Sequence, residues 1–121
     1  MELQSYRDLT VWQKSIELTI EVYQLTAVYP KSELFGITSQ SRRAAVSIPS
    51  NIAEGYSRRS RNEYSHFINI VYASGAELET QLIIAKRLKL TRETEFEKSE
   101  KLLYEVLSML HTLEVRIRQK D

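Results

Sequence analysis

The sequence predicts an all-α protein, an antiparallel up-down-up-down four-helix bundle occupying a single domain, residues 1–121. Three observations predict it. Apolar residues recur at three- and four-residue steps along most of the chain, and two-residue alternation is nowhere sustained. Only three glycines and two prolines punctuate 121 residues, so the connections are short. No tract of linker composition divides a chain whose length suits one hydrophobic core. Short connections make consecutive helices antiparallel neighbours, which is the bundle topology.

The first helix is predicted from about Asp8 to Val28. Leu9, Trp12, Ile16, Ile20, Tyr23 and Ala27 mark one apolar face and are expected to point inward. A second stripe, Val11, Leu18, Val22 and Leu25, lies nearly opposite. One face suffices for a monomeric bundle helix, so the second predicts burial against another subunit and a homo-oligomer. Tyr29-Pro30 ends this helix, since the residue before proline is pushed out of the helical region.

The second helix is predicted from Ile37 or Thr38 and buries Ala44, Ala45, Ile48 and Ile52. It carries an interior proline, Pro49, which leaves the Ala45 carbonyl without its N–H partner at a cost of about 3 kcal/mol. Ser47 and Ser50 are expected to reach freed backbone groups, and Gly55 to serve as a left-handed C-terminal residue. Ser60-Arg61-Asn62-Glu63 reads as a capping box for the third helix, which runs to about Leu88. Its inner face is Tyr64, Phe67, Ile68, Val71, Gly75, Leu78, Leu82 and Ala85, and Ala73–Ala76 is a small-residue run suited to close helix contact. Thr91 is the expected N-cap of the fourth helix, which runs to about Arg118 with Phe96, Ser99, Leu103, Val106, Leu110, Leu113 and Ile117 inward.

Composition removes several function classes. Zero cysteines exclude disulfides, thiolate metal sites and cysteine nucleophiles. No signal peptide and no long uncharged apolar run are visible, so the expectation is a cytoplasmic protein without membrane contact. Glu63 and His66 have the spacing of half a di-metal bundle motif, but His111 is preceded at that spacing by Ser108. There is no G-x-S-x-G turn and no glycine-rich phosphate loop. No catalytic residue, metal ligand, cofactor or small-molecule substrate is predicted; a metal-dependent bundle enzyme is the least supported reading. Gln40, Glu54, Glu77, Glu79 and Gln81 are expected to bond one another, the arginines or the backbone freed by Pro49.

Net charge is only +1, so any basic surface must come from local clustering. Arg42, Arg43, Arg58, Arg59 and Arg61 are opposed within 37–61 by Glu54 alone. Guanidinium forks suit phosphate, and Tyr56 and Tyr64 flank the cluster as platforms for unpaired bases. The predicted partner is RNA or another nucleic acid, contacted by these five arginines and Tyr56. The alternative is a protein–protein interaction scaffold in which the arginines are structural.

Asp8–Lys14, Leu34–Gln40, the run Arg42-Arg43-Ala44-Ala45-Val46-Ser47-Ile48-Pro49-Ser50-Asn51-Ile52-Ala53-Glu54-Gly55 and Glu77–Leu82 together resemble a known family. It comprises bacterial four-helix-bundle proteins encoded within intervening sequences of the large-subunit (23S) ribosomal RNA gene. The resemblance implies a cytoplasmic bundle assembled as a homopentameric ring, with no established enzymatic activity and a suspected role in binding RNA or other nucleic acid. More distant relatives are accessory factors of diversity-generating retroelements. Ser41 stands where the family often has a hydrophobic residue, and Ala73-Ser74 where it often has Gly-Ser. Both departures fall at the contact between the second and third helices.

Overall fold

The computed structural model describes residues 5–119, and among them it contains four long helices and no strand. They are α1 (Thr10–Ala27), α2 (Ser39–Tyr56), α3 (Arg61–Arg87) and α4 (Glu97–Gln119). Pairwise contacts run in opposite senses along every neighbouring pair. Thr19 meets Ala45 while Thr26 meets Arg42; Ser47 meets Ser74 while Gly55 abuts Phe67. Gly75 abuts Leu107 while Lys86 meets Glu100, and Lys14 meets Glu105 while Glu21 meets Lys98. The bundle is therefore antiparallel up-down-up-down.

Most element boundaries have visible chemical causes. Ser5 caps a short 3-10 turn (Tyr6–Asp8) ahead of α1, in a reciprocal box closed by the Asp8 carboxylate. Before α3, Ser60 Oγ accepts from the Glu63 amide at 3.1 Å, without the reciprocal glutamate bond that the sequence suggested. The α3 helix ends in a Schellman arrangement. Lys89 takes the left-handed conformation (φ 57°), its amide donates to the Lys86 carbonyl, and the Leu90 amide donates to that of Ala85. Thr91 is not a cap; a 3-10 turn (Glu93–Phe96) with N-cap Arg92 leads into α4. Acidic Glu93, Glu95, Glu97 and Glu100 crowd that entry, where the helix dipole favours negative charge.

Ala44, Ala45, Ile48 and Ile52 of α2 lie in the core with Ile68, Val71, Leu78 and Leu82 of α3 and Leu103, Val106 and Leu110 of α4. Phe96, fully buried, closes one end of the core against Tyr29. Helix α1 reverses the expectation. Val11, Leu18, Val22 and Leu25 are not a subunit interface: they are buried in the chain's own core. Ile20, Tyr23 and Ala27, expected inward, are exposed, and Leu9, Trp12 and Ile16 are half-buried. The true inner stripe includes Ser15 and Thr26, whose hydroxyls bond back to the carbonyls of Trp12 (2.7 Å) and Val22 (2.8 Å). Two buried hydroxyls satisfied within the helix made the inner face read as the more polar one.

Pro49 sits in the interior of α2 and is buried. The carbonyl it frees, that of Ala45, accepts from Thr19 Oγ1 of α1 at 3.1 Å. Ser47 and Ser50 do not perform this task. Ser47 Oγ pairs with Ser74 Oγ of α3 at 2.7 Å and accepts from Asn51 Nδ2 at 3.0 Å, while Ser50 is exposed. Ser41 is fully buried and its hydroxyl has no partner among the described residues. Gly55 is helical rather than left-handed. Its role is proximity: a Cβ there would lie 2.8 Å from Phe67 Cβ.

Candidate nucleic-acid interface

The two arginine pairs, one within α2 and one just after it, do not form one surface. Arg42 and Arg58 are sixteen positions apart, and a rise of about 1.5 Å per residue puts roughly 24 Å between them. Each pair belongs to a different end of the bundle.

Arg42 is held in place by its own chain. Its Nε donates to Thr26 Oγ1 at 2.9 Å, a second nitrogen points to the Tyr23 carbonyl at 3.4 Å, and the guanidinium lies 4.6 Å from the Tyr23 ring centroid. It ties α2 to α1 and is not disposed as a phosphate contact. Arg43 is exposed beside it, on the rim of a shallow cleft lined also by Tyr23, Leu34 and Val46.

The opposite end gathers charge from three helices. Arg58 pairs with Glu54 at 2.6 Å and its guanidinium lies 4.7 Å from the Phe67 ring centroid, so the head is held between a carboxylate and an aromatic face while the side chain stays partly exposed. Arg59 is exposed in the turn between α2 and α3, on a shallow surface with Arg58, Ser57 and Ser60. Arg61 opens α3 and borders a cleft of about 560 Å³ together with Arg116 from the last turns of α4. Arg118, two residues on, is bound to Glu114 at 2.6 Å.

Tyr56 and Tyr64 line this cleft and meet edge to face, their centroids 6.2 Å apart at 86°. Burial, with a smaller contribution from Tyr56, pushes the Tyr64 phenol up to about 12, so it remains neutral at physiological pH. Its hydroxyl has no partner among the described residues.

The remaining polar candidates do not assemble. Glu54 serves Arg58, Gln81 is buried with Oε1 unpartnered, and Gln40, Glu77 and Glu79 are exposed. His66 is exposed with its ring against Phe67, and no three histidine, aspartate or glutamate side chains among the described residues are grouped to hold a metal ion.

A family model described as 23S rRNA-intervening sequence protein matches residues 7–112. The chain belongs to that family. No curated protein shows a significant match to it. In this 23S rRNA-intervening sequence protein the matched span takes in Tyr56, Arg58, Arg59 and Arg61 and stops short of Arg116. No helix among the described residues is long and apolar enough to cross a membrane.

Two features of this family member escaped the sequence. Arg116 joins the Arg61 end only because α4 runs antiparallel back to it; a bundle-end projection of the helices could have found it. A second basic patch, Arg87, Lys89 and Arg92, surrounds the opposite end near the α3–α4 connection. Its residues were legible as a run, but the left-handed turn at Lys89 that presents them was not.

Proposed function

We propose that the protein is a non-catalytic, self-associating cytoplasmic bundle that binds structured RNA through the arginine-bearing end formed by α2, α3 and α4. One observation carries this reading: Arg58, Arg59, Arg61 and Arg116 converge on one bundle end, around a tyrosine-lined cleft. Of the five arginines predicted from sequence, Arg58, Arg59 and Arg61 remain with Tyr56 in this surface. Arg42 leaves it for its structural bonds, and Arg43 belongs to the other end. Backbone phosphates supply most of the affinity in such contacts, so binding should weaken steeply with salt.

A salt titration of RNA binding with Arg59→Ala, Arg116→Ala and the double variant tests the reading. Each lost phosphate contact should lower the slope of log affinity against log salt by about 0.7–0.9. Affinity and slope unchanged in the double variant would sink it.

Self-association rests on a different surface from the one the sequence suggested. Ile20, Tyr23, Leu34 and Val46 are partly bare, and Phe35, 92% exposed, protrudes beside them from the π-type turn Leu34–Thr38 that precedes α2. Isolated exposed apolar residues need no explanation, but a contiguous set around a bare phenylalanine marks an interaction site. A second copy of the chain is the proposed occupant, in the homopentamer that the family resemblance implies. If light scattering shows Phe35→Asp with the wild-type assembly, this face is not the contact. A protein-recruiting scaffold is the competing reading, and partners that survive nuclease treatment would favour it.

A further inference from the structure

The apolar face presented by α1 and α2 has a counterpart on α3. Ala73, Glu77, Thr80, Ile84 and Leu88 recur at three- and four-residue steps and share the side of that helix turned away from the core. All five are exposed, Ile84 and Leu88 by 44% and 61%. The Thr80 hydroxyl donates to the Ala76 carbonyl of its own helix at 2.8 Å, so covering it strands no polar atom. Ala73 leaves room for a neighbour to approach. Each surface also carries an unpaired charge. Arg43 beside the α1–α2 face and Glu77 in the α3 stripe are exposed and form no ion pair with another described residue.

The bond between Ser47 of α2 and Ser74 of α3 sets a common level along the bundle. At a rise of about 1.5 Å per residue, Arg43 stands about 6 Å from that level and Glu77 about 4.5 Å, towards the same end. Ser39, where α2 begins, is about 12 Å away and Ile84 about 15 Å, with Phe35 in the turn before Ser39. We infer that self-association is head to tail: the α1–α2 face of one copy packs on the outer stripe of α3 in the next, Phe35 against Ile84 and Leu88 and Arg43 against Glu77. This contact rests on the self-association reading and deepens it, supplying the second surface. Rotation about an axis along the helices leaves every height unchanged, so the groups at matching heights are the ones that meet. Opposite charges at one height fix the register of the apolar contact. The α3 stripe lies around the corner of the bundle from the α1–α2 seam. Each copy is therefore turned relative to the last, and the series closes into a ring instead of running on as a filament. A contact of the α1–α2 face with itself would leave the α3 stripe bare and Glu77 unanswered.

The chain has no cysteine, so introduced thiols report contacts without background. Ser39→Cys and Thr80→Cys keep the contact residues intact. The two variants, co-expressed with different tags and treated with nuclease, are cross-linked with a short bis-maleimide. They should yield a covalent dimer holding one chain of each kind, and neither variant alone should cross-link. Charge reversal supplies a second readout. Arg43→Glu should raise the concentration at which the assembly half-dissociates, read by light scattering, by at least about five-fold. Adding Glu77→Arg in the same chain should return it to within about two-fold of wild type. Both positions are exposed, and thermal unfolding of each variant verifies its fold.

Ser39→Cys cross-linking to itself, or the absence of both the mixed dimer and the charge rescue, overturns the head-to-tail contact and leaves self-association standing. A wild-type protein that is monomeric after nuclease treatment overturns both.

Discussion

Replacing Gly55 by alanine asks how closely α2 and α3 must approach at the end that carries the arginines. A Cβ at residue 55 would lie 2.8 Å from Phe67 Cβ and 3.1 Å from Tyr64 Cδ1. Relaxed carbon contacts are about 3.5–4.0 Å, so the helices would have to part locally by roughly 0.7 Å or more. Phe67 Cβ is bonded to the α3 backbone and cannot swing aside. Alanine gains about 1 kcal/mol of helix propensity over glycine, while overpacking a buried contact costs about 1–3 kcal/mol and here also loosens the neighbouring core. A net loss of about 1–2 kcal/mol is expected for Gly55→Ala.

Gly75→Ala is the internal control. A Cβ there would lie 2.7 Å from Leu107 Cδ2, a terminal methyl on a half-buried side chain that can rotate away. Rotamer adjustment and propensity gain should nearly cancel, leaving stability within about 0.5 kcal/mol of wild type. Urea unfolding of both variants, with the slope checked for constancy, measures the difference. A Gly55→Ala protein as stable as wild type, or a Gly75→Ala protein equally destabilised, would refute the claim that this helix contact is set at the backbone.

Other outcomes follow from single contacts. Thr19→Val removes the donor to the Ala45 carbonyl freed by Pro49 and should cost about 1 kcal/mol, with no loss contradicting the bond's role. Lys89→Gly relieves a left-handed residue at the end of α3 and should raise stability by about 0.5–1 kcal/mol in the same unfolding assay. Burial holds the phenols of Tyr29 and Tyr64 at about 12, above their ordinary 10.0. The unfolded chain therefore releases these protons first, and stability present below pH 10 is lost as pH rises towards 12. Tyr29→Phe should flatten that alkaline loss in a pH series of unfolding midpoints, and an unaltered profile would exclude Tyr29 as its source.

Sequence periodicity located the four helices because each needs an apolar stripe, and for α2, α3 and α4 one stripe dominates. Helix α1 has two. Ser15 and Thr26 on its buried side weakened the stripe that packs, while Ile20 and Tyr23 strengthened the one left outside. Hydrophobicity alone cannot rank two such faces, since a hydroxyl satisfied by its own helix buries readily. The arginines show a different limit. Proximity in sequence united Arg42 with Arg58, and helix rise separated them; antiparallel packing then brought in Arg116, far away in sequence. Gly55 looked like a terminator because glycine serves both turns and close contacts, and only the position of α3 distinguishes the two.

The bond from Thr19 to Ala45 also bears on how the chain folds. With Pro49 in its interior, α2 cannot satisfy all its backbone acceptors from within, and one of them is supplied from α1. The segment 39–56 taken alone should be a poor helix, gaining order only as it docks on its predecessor. The α1–α2 hairpin is thus expected to form as one cooperative unit, which an isolated 39–56 peptide with little helical signal would support. A proline placed opposite a neighbour's hydroxyl makes the order of α2 depend on the presence of α1.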